Sequence, residues 1–255
     1  MRALVLSDIH GNLEALTAVL AAAGQCDALW NLGDMVGYGP NPNEVLDVIR
    51  PMASLTVRGN HDRVCSGLGS TRNFNPAARA AAKWTTDALT AENLAWLREL
   101  PKGPLEPERQ SEDEARVLLA HGSPLHEDHY VQSMRDAWAP LQQMTTMVSF
   151  VGHTHVQGGF AQREHDWNEV RPRYPGHGGS VEWTLTIEPG MRYLINPGSV
   201  GQPRDFDWRA AFAIYDSVAH EVHYHRVAYD LAATQERMKQ AGLPKRLIAR
   251  LKEGR

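Results

Sequence analysis

Five short polar motifs in this sequence combine aspartate, histidine or asparagine with a neighbouring glycine. Carboxylate and amide oxygens and imidazole nitrogens bind divalent metal ions, and glycine lets the backbone turn sharply and approach an ion closely. Each motif alone is typical of an ordinary loop, but five of them in one chain predict a metal centre. In chain order the motifs are Asp8-Ile9-His10, Gly33-Asp34, Gly59-Asn60-His61-Asp62, His121-Gly122 and Gly152-His153-Thr154-His155.

The spacing inside two of these motifs adds an expectation about geometry. Side chains alternate between the two sides of an extended chain, so residues i and i+2 point to the same side. Asp8 and His10 form one such pair, and His153 and His155 form the other. We therefore expect each pair to lie on one side of an extended segment, where both side chains reach the same site.

Every motif follows a short apolar segment that is predicted to be a β-strand. These segments are residues 2–6, 28–32, 53–57, 117–120 and 147–151. Helices are predicted over 13–23 and 43–50, and two more within 75–99. This strand–loop–helix repeat is typical of parallel strands that carry functional residues at their C-terminal ends. The elements are therefore expected to gather the five motifs at one edge of the fold.

The second half of the chain is richer in predicted strands. A helix is expected over 133–144, and two C-terminal helices within 229–253 are separated at Gly242-Leu243-Pro244. Further strands are expected at 156–162, 181–187 and 191–195, and a hairpin at 210–216 and 220–227. A Gly-, Arg- and His-rich insertion over 163–180 contains His165 and His177, which are expected to face water. We predict an α/β (α+β) fold with two packed β-sheets in a single domain, residues 1–255.

Composition and charge exclude several classes of protein. Hydrophobic residues make up 42% of the 255 residues and charged residues 22%, as in globular proteins with a folded core. The net charge is -4 and no run of five Lys or Arg residues occurs, so there is no nucleic-acid footprint. Two cysteines are too few for a disulfide framework. With no secretory leader and no apolar run of roughly 18 residues, we expect a cytoplasmic protein without a membrane partner.

The motifs together resemble the calcineurin-like metallophosphoesterase superfamily. The pattern of that family is Asp-x-His, Gly-Asp, Gly-Asn-His-Asp/Glu, His and Gly-His-x-His, and the resemblance runs from residue 1 to about 215. Segments 7–12, 37–42 and 196–204 are similar to signatures of its small bacterial and archaeal phosphodiesterase branch. The resemblance implies two mixed β-sheets packed as a sandwich and flanked by helices, a four-layer fold. It also implies hydrolysis of a small phosphoester, with phosphodiesters preferred over phosphomonoesters.

The resemblance further implies seven ligands for two divalent metal ions. The first ion would be bound by Asp8, His10 and His155. The second ion would be bound by Asn60, His121 and His153. Asp34 would bridge both ions, and His61 would be the catalytic proton donor to the leaving oxygen rather than a ligand.

This assignment is chemically consistent. Two dications roughly 3.5–4 Å apart repel each other and need a shared carboxylate between them, and a bridging water or hydroxide becomes the nucleophile. Displacement in line then needs an acid on the far side, and histidine titrates in the right range. The resemblance implies Mn²⁺, and the same nitrogen and oxygen ligands also suit Fe²⁺, Ni²⁺, Co²⁺ or Zn²⁺.

Several supporting residues have two interpretations each. Arg58 either binds a substrate phosphate through two parallel N–H donors or is an exposed charge at a strand end. Asn12 either approaches the phosphate or caps the following helix, which is the better interpretation. Tyr38 either stacks on a nucleobase or braces the Gly-Pro loop. Asp62 either orients His61 or a metal-bound histidine, or caps a turn.

Three alternative functions stay open beside the phosphodiesterase. A protein phosphatase and a dinucleoside-polyphosphate hydrolase use the same family core. A third alternative is a scaffold that has lost activity, but here neither a ligand position nor His61 is missing. The sequence indicates neither the physiological substrate nor the oligomeric state. Specificity is expected to depend on loops 65–75 and 122–132 and on the insertion 163–180.

Overall fold

A computed structural model describes residues 1–108, 115–174, 176 and 178–255. Residues 109–114, Pro175 and His177 lie outside the described residues. We predicted from the sequence that the Pro- and acid-rich segment 101–114 is an exposed loop, so that prediction falls partly on these residues. The strands are β1 (Arg2–Leu6), β2 (Ala28–Asn31), β3 (Leu55–Thr56), β4 (Val117–Leu119), β5 (Val148–Phe150), β6 (Gly158–Arg163), β7 (Asp166–Val170), β8 (Val181–Thr186), β9 (Arg192–Asn196), β10 (Ala210–Asp216) and β11 (Glu221–Val227). The helices are α1 (Leu13–Ala23), α2 (Pro42–Met52), α3 (Asn60–Cys65), α4 (Pro76–Ala88), α5 (Ala91–Glu99), α6 (Met134–Gln143), α7 (Leu231–Gln240) and α8 (Lys245–Glu253), with a short 3₁₀ turn at Thr71–Asn73.

The strands form two mixed sheets. The first has six strands in the order β3-β2-β1-β10-β11-β8, and the second has five in the order β4-β5-β9-β6-β7. β1, β2 and β3 run parallel, as do β4, β5 and β9. The remaining pairs are antiparallel. The C-terminal ends of the parallel strands therefore share an edge in each sheet, where the predicted motifs begin.

The two sheets pack face to face over an apolar core. Val5 and Trp30 on the inner face of the first sheet join Phe150 and Ile195 of the second in one buried cluster. Because side chains alternate along a strand, Leu4 and Leu6 of β1 face the other way, into a cluster with α1 and α2. The outer face of the second sheet packs against α6. The result is the predicted four-layer arrangement of helices, sheet, sheet and helices.

The C-terminal helices add a separate packing unit. Leu247 and Leu251 of α8 are buried in a cluster with Ala78 of α4, Met238 of α7 and Tyr38. Tyr38 belongs to the loop that follows the Gly33-Asp34 motif. This packing brings α8 to the rim of the edge that carries the motifs.

The predicted elements are found with small changes of boundary, and two were missed. Residues 60–65 form the helix α3 rather than a loop, and part of the insertion 163–180 forms β7, which pairs with β6. His165 is exposed, as expected. Within the described part of the chain, no helix has the length and apolar character needed to cross a bilayer.

Candidate metal centre

The five motifs meet at the shared edge of the two sheets. Six of their side chains form two buried groups, and the ligand atoms within each group lie within 4.8 Å of one another. The first group is Asp8, His10 and His155. The second group is Asp34, His121 and His153. The grouping matches the two predicted ligand sets, with Asp34 in the second group.

The first group turns two imidazole lone pairs toward each other. Nδ1 of His10 contacts the Val36 carbonyl at 3.0 Å, and Nδ1 of His155 contacts the Gln202 carbonyl at 2.6 Å. A carbonyl only accepts, so each Nδ1 carries the proton and each Nε2 carries a lone pair. The two Nε2 atoms are 3.2 Å apart. Asp8 Oδ1, a buried oxygen with no hydrogen-bond partner, lies 3.2 Å from His155 Nε2. A cation between these atoms would satisfy all three.

In the second group, ligand atoms likewise converge on one imidazole nitrogen, Nε2 of His121. Nδ1 of His121 donates to the Leu32 carbonyl at 2.9 Å, which leaves Nε2 to bind either a proton or a metal ion. Around this Nε2 lie three further acceptor atoms, Asn60 Oδ1 at 3.1 Å, His153 Nδ1 at 3.1 Å and Asp34 Oδ2 at 3.4 Å. Burial opposes a charge on His121, but the Asp34 carboxylate overcomes it and raises the pKa to about 10. The group therefore attracts positive charge, which a divalent ion would supply.

Asp34 stands between the two groups. Its Oδ1 accepts the backbone N–H of His61 at 2.7 Å, which fixes the carboxylate. Its Oδ2 lies 3.7 Å from His10 Nε2 in the first group and 3.4 Å from His121 Nε2 in the second. One carboxylate oxygen is thus within reach of both ligand sets, as a bridging ligand requires.

The backbone at the ligands differs from the expected extended chain. Asp8, His10, Asp34, His153 and His155 all have positive φ, between 49° and 67°. Side-chain alternation along a strand is therefore the wrong reason for the pairing of Asp8 with His10, although the two do share a group. His153 and His155 fall in different groups. Left-handed conformations are unfavourable for residues other than glycine, and such strain clusters at functional sites.

Two glycines allow the Asp34 and Asn60 loops to touch. A Cβ on Gly33 would lie 2.4 Å from the backbone nitrogen of Gly59, and a Cβ on Gly59 would lie 2.1 Å from Asp34 Oδ1. Either substitution would push the two loops apart. Glycine therefore permits close approach between the two loops, and the predicted approach to an ion stays a prediction.

The carboxylate of Asp62 connects the same two loops through hydrogen bonds to their backbone. The four hydrogen bonds that it accepts come from the backbone N–H groups of Gly59, Asp34, Met35 and Val36, at 2.8–3.3 Å. Of its two interpretations, capping is therefore confirmed. Within the described residues its hydrogen-bond partners include no histidine, so it positions ligands through the backbone.

His61 is set beside the two groups by aromatic packing. Its ring lies 4.4 Å from Tyr38, 4.5 Å from Phe74 and 4.9 Å from His10, measured between ring centroids. Its Nδ1 is buried without a partner against Gly37, which leaves Nε2 as the accessible ring nitrogen. Burial, helped by the positive charge of Arg204, lowers the pKa of His61 to about 4 against the opposing pull of Asp34. The imidazole is therefore neutral at pH 7 until an anion arrives.

A basin of about 450 Å³ opens in front of Asn60 and His61. Its wall includes Arg246 and Arg250 of α8 and Arg204 of the loop before β10. From the sequence, Arg204 belongs to the 196–204 signature, which either lines the site or packs against it, whereas Arg246 and Arg250 were missed. Arg246 and Arg250 are four residues apart, so they share a helix face. This spacing is visible in the sequence and could have indicated a positively charged helix face.

The three predicted substrate contacts occupy different positions. Tyr38 lines the basin and packs its ring against His10 at 4.6 Å. Asn12 caps α1 by accepting the Ala15 N–H, and its Nδ2 donates to the Gly201 carbonyl. Arg58 lies outside the residues that line the basin, and its guanidinium pairs with Glu127 at 3.2 Å. Their roles toward substrate stay predictions.

The comparisons with known proteins agree with this geometry. A crystal structure of a metallophosphoesterase from Sphaerobacter thermophilus is 42% identical, with a TM-score of 0.81, and the match covers 100% of this chain and 99% of that one. An uncharacterised protein of Methanocaldococcus jannaschii is 35% identical over 253 residues, 98% of this chain and 97% of that protein. A symmetrical bis(5'-nucleosyl)-tetraphosphatase of Yersinia pestis is 35% identical over 129 residues, 48% of this chain and 42% of that protein. Residues 1–220 match the model of the calcineurin-like phosphoesterase superfamily domain, and the chain belongs to that superfamily.

Proposed function

We propose that this protein hydrolyses small phosphoesters, with phosphodiesters preferred, at a centre of two divalent metal ions. The observation that carries the proposal is the convergence of buried imidazole nitrogens and carboxylate and amide oxygens, all of them metal-ligand atoms, on two points. His10 Nε2 and His155 Nε2 are 3.2 Å apart, and His121 Nε2 is surrounded by acceptors. Buried polar atoms are normally hydrogen-bonded, so this arrangement is suited to cations.

Asp8, His10 and His155 would hold one ion, and Asn60, His121 and His153 the other. Asp34 would bridge them through Oδ2. Bound there, two divalent ions supply an activated water nucleophile and neutralise charge on the phosphoryl oxygens. The ligands are imidazole, carboxylate and amide without thiolate, a set that suits Mn²⁺, which we favour, as well as Fe²⁺, Ni²⁺, Co²⁺ or Zn²⁺.

His61 would donate the proton to the leaving oxygen through Nε2. In the free protein its pKa is about 4, so the imidazole needs a nearby anion before it holds a proton at neutral pH. A phosphoester in the basin brings that negative charge, which favours the imidazolium. Tyr38 and Phe74 keep the ring in place, so the donor does not have to be ordered during the reaction.

A second candidate is hydrolysis of dinucleoside polyphosphates. The similarity to the Yersinia pestis tetraphosphatase favours it, although that match covers 42% of the relative. The basin volume of about 450 Å³ lies within the range of roughly 300–1,000 Å³ for small-molecule sites. It therefore has room for more than one phosphoryl group.

The test combines metal analysis with a substrate panel. The purified protein is loaded with Mn²⁺, its metal content is measured, and turnover is followed on an aryl phosphodiester, an aryl phosphomonoester, a phosphopeptide and diadenosine tetraphosphate. We expect two ions per chain and fastest turnover on the diester. Fastest turnover on diadenosine tetraphosphate would favour the second candidate. Two bound ions with no turnover on any phosphoester would identify a scaffold and overturn both.

A further inference from the structure

The basin beside His61 has an arginine-rich wall that the proposed chemistry does not use. Arg204 extends from the loop before β10, and Arg246 and Arg250 extend from α8. The family domain ends at residue 220 in the match, so α8 lies beyond it. Two of the three arginines are thus carried by a helix that is not part of the matched family domain.

These arginines lack counter-ions. Among the described residues, no Asp or Glu carboxylate forms an ion pair with Arg204, Arg246 or Arg250. Arg250 Nε donates to the main-chain oxygen of Arg255, which leaves its other guanidinium nitrogens for a ligand. Arg255 on the same wall differs, because Glu253 lies 3.8 Å from it. Arg204 contacts Gln202 Oε1 at 3.0 Å, but its Nε is buried without a partner. A buried guanidinium N–H without an acceptor is costly, and an anionic ligand would satisfy it.

The guanidinium groups are also close enough to repel one another. Burial, together with the positive charges of Arg204 and Arg246, lowers the pKa of Arg250 to about 10. Arg204 also lies over the Tyr38 ring, with its guanidinium carbon 5.8 Å from the ring centroid. Unpaired like charges gathered at a concave surface raise the local concentration of anions. Arginine binds phosphate oxygens through two parallel N–H donors.

We propose that Arg204, Arg246 and Arg250 form a second phosphate subsite, which binds one or more phosphates linked to the scissile one. Substrates with linked phosphates, either a nucleotide polyphosphate or an inorganic one, would then gain affinity from this subsite. This statement about substrates rests on the proposed phosphoesterase function, whereas anion binding by the arginines does not. The scissile phosphate belongs at the metal ligands and His61, and Asn60 and His61 line the same basin as the three arginines.

The first experiment measures binding alone. Inorganic tripolyphosphate, orthophosphate and ATP are titrated into the full-length protein, free of added metal, by calorimetry. Arg250→Gln and Arg246→Gln should each weaken tripolyphosphate binding by about tenfold or more, as expected for losing a hydrogen bond to a charged group. Lys252→Gln is the matched control, because Lys252 is an exposed cation of α8 outside the basin wall. Equal weakening by Lys252→Gln, or orthophosphate binding as tight as tripolyphosphate, would overturn the subsite.

The ATP arm separates the two sources of linked phosphates. Equal dependence of ATP and tripolyphosphate binding on Arg250 means that the subsite recognises phosphates alone. A dependence seen with ATP and not with tripolyphosphate would overturn a phosphate subsite, because the arginine would then recognise the nucleoside. Tighter binding of a single-stranded oligonucleotide than of either probe would also overturn it.

The second experiment links the subsite to turnover. In the Mn²⁺-loaded protein, Arg250→Gln should lower kcat/KM for diadenosine tetraphosphate about tenfold more than for an aryl phosphodiester, which has a single phosphate. Equal losses on both substrates would place Arg250 on the scissile phosphate and overturn the proposal. If the protein turns over neither substrate while tripolyphosphate binding still depends on Arg250, the phosphoesterase function fails and the anion site stands.

Discussion

Two concave regions of this protein are lined by arginines, and they differ in whether those arginines pair with carboxylates. The larger region, about 620 Å³, is lined by Arg209 and Arg226. Arg209 pairs with Asp207 and Arg226 pairs with Asp205. The smaller basin, about 450 Å³, is the one beside His61, and among the described residues no Asp or Glu pairs with its Arg204, Arg246 or Arg250.

The difference shows that pairing is a better guide to a ligand site than volume. In the larger region Gln157 Oε1 accepts both the Tyr174 hydroxyl and Arg226 Nε, so the polar groups satisfy one another. Asp205 Oδ1 is the single buried side-chain atom without a partner among the described residues that line it. In the smaller basin His61 Nδ1 and Arg204 Nε lack partners, beside the candidate metal ligands. The polar groups of the larger region are largely satisfied within the protein, whereas those of the smaller basin are not, as our proposal of an ion-binding site requires.

The strongest test of this comparison is removal of the acid in the smaller basin. His61→Ala should keep both metal ions and lose turnover by roughly 10²–10⁴-fold, the usual contribution of a general acid. Turnover on a substrate with a poor leaving group and bound metal are both measured. His165→Ala, at an exposed histidine away from the site, is the control. A near-normal rate on the poor leaving group in the His61 variant would remove His61 from the mechanism.

The next largest effect should appear in the larger region, as stability. Arg226→Leu leaves Asp205 as an uncompensated charge in a buried setting, which costs about 3–5 kcal/mol of unfolding free energy. Arg246→Leu removes an unpaired surface cation, and its effect should stay within about 0.5 kcal/mol. Urea unfolding of both variants gives the comparison. If the two variants lost equal stability, the distinction between paired and unpaired arginines would not hold.

The sequence predicted some helices and strands better than others, for physical reasons. The bounds of α1 follow from local signals, because Asn12 caps its start and Gly24 ends it with φ of 65°. The helix α3 was missed because it has six residues and begins inside a ligand motif. β7 was missed because the insertion that contains it has a composition typical of loops.

Some features of the candidate site could likewise be predicted from the sequence, and others could not. The gathering of the motif residues could be predicted, because each motif follows a strand whose end lies at the shared edge. Their positive φ could not, because aspartate and histidine give no local sign of it. The arginine wall depends on the packing of Leu247 and Leu251 beside Tyr38, a contact between distant parts of the chain that no local pattern encodes.

A third prediction concerns Asp34, which stands between the two ligand groups. Asp34→Asn replaces the shared negative charge with a neutral amide, so Mn²⁺ affinity should fall by at least about tenfold, comparable to the loss when a supporting group of a metal site is removed. Calorimetric titration with Mn²⁺ measures both affinity and stoichiometry. Asp166→Asn, at an exposed position of β7, is the control. Unchanged affinity and stoichiometry in the Asp34 variant would contradict the bridging role.

The smallest expected effect is a pH dependence of stability that belongs to the metal centre. Burial lowers the pKa of His10 and of His155, that of His61 to about 4 and that of His153 to about 3. In the unfolded chain these groups titrate near pH 6.5. As the pH falls below about 6.5 the unfolded state therefore binds protons that the folded state does not, and the unfolding free energy decreases.

Two buried groups modify this slope without reversing it. Burial raises the pKa of Asp62 to about 7, so the folded state holds one proton there that the unfolded state has released above its ordinary pKa. This offsets one histidine. His121, with its pKa raised to about 10, is protonated in both states below about pH 6 and contributes nothing there. The net direction is a loss of stability between about pH 6.5 and 4.

Urea unfolding of the protein without added metal, at several pH values in this range, measures the slope. Each histidine that stays neutral in the folded state contributes at most about 1.4 kcal/mol per pH unit. His61→Ala should therefore reduce the slope by up to that amount, while His165→Ala, at an exposed position, should leave it unchanged. Identical slopes in the wild type and the His61 variant would mean that His61 is protonated in the folded protein, because only then does folding leave its proton binding unchanged.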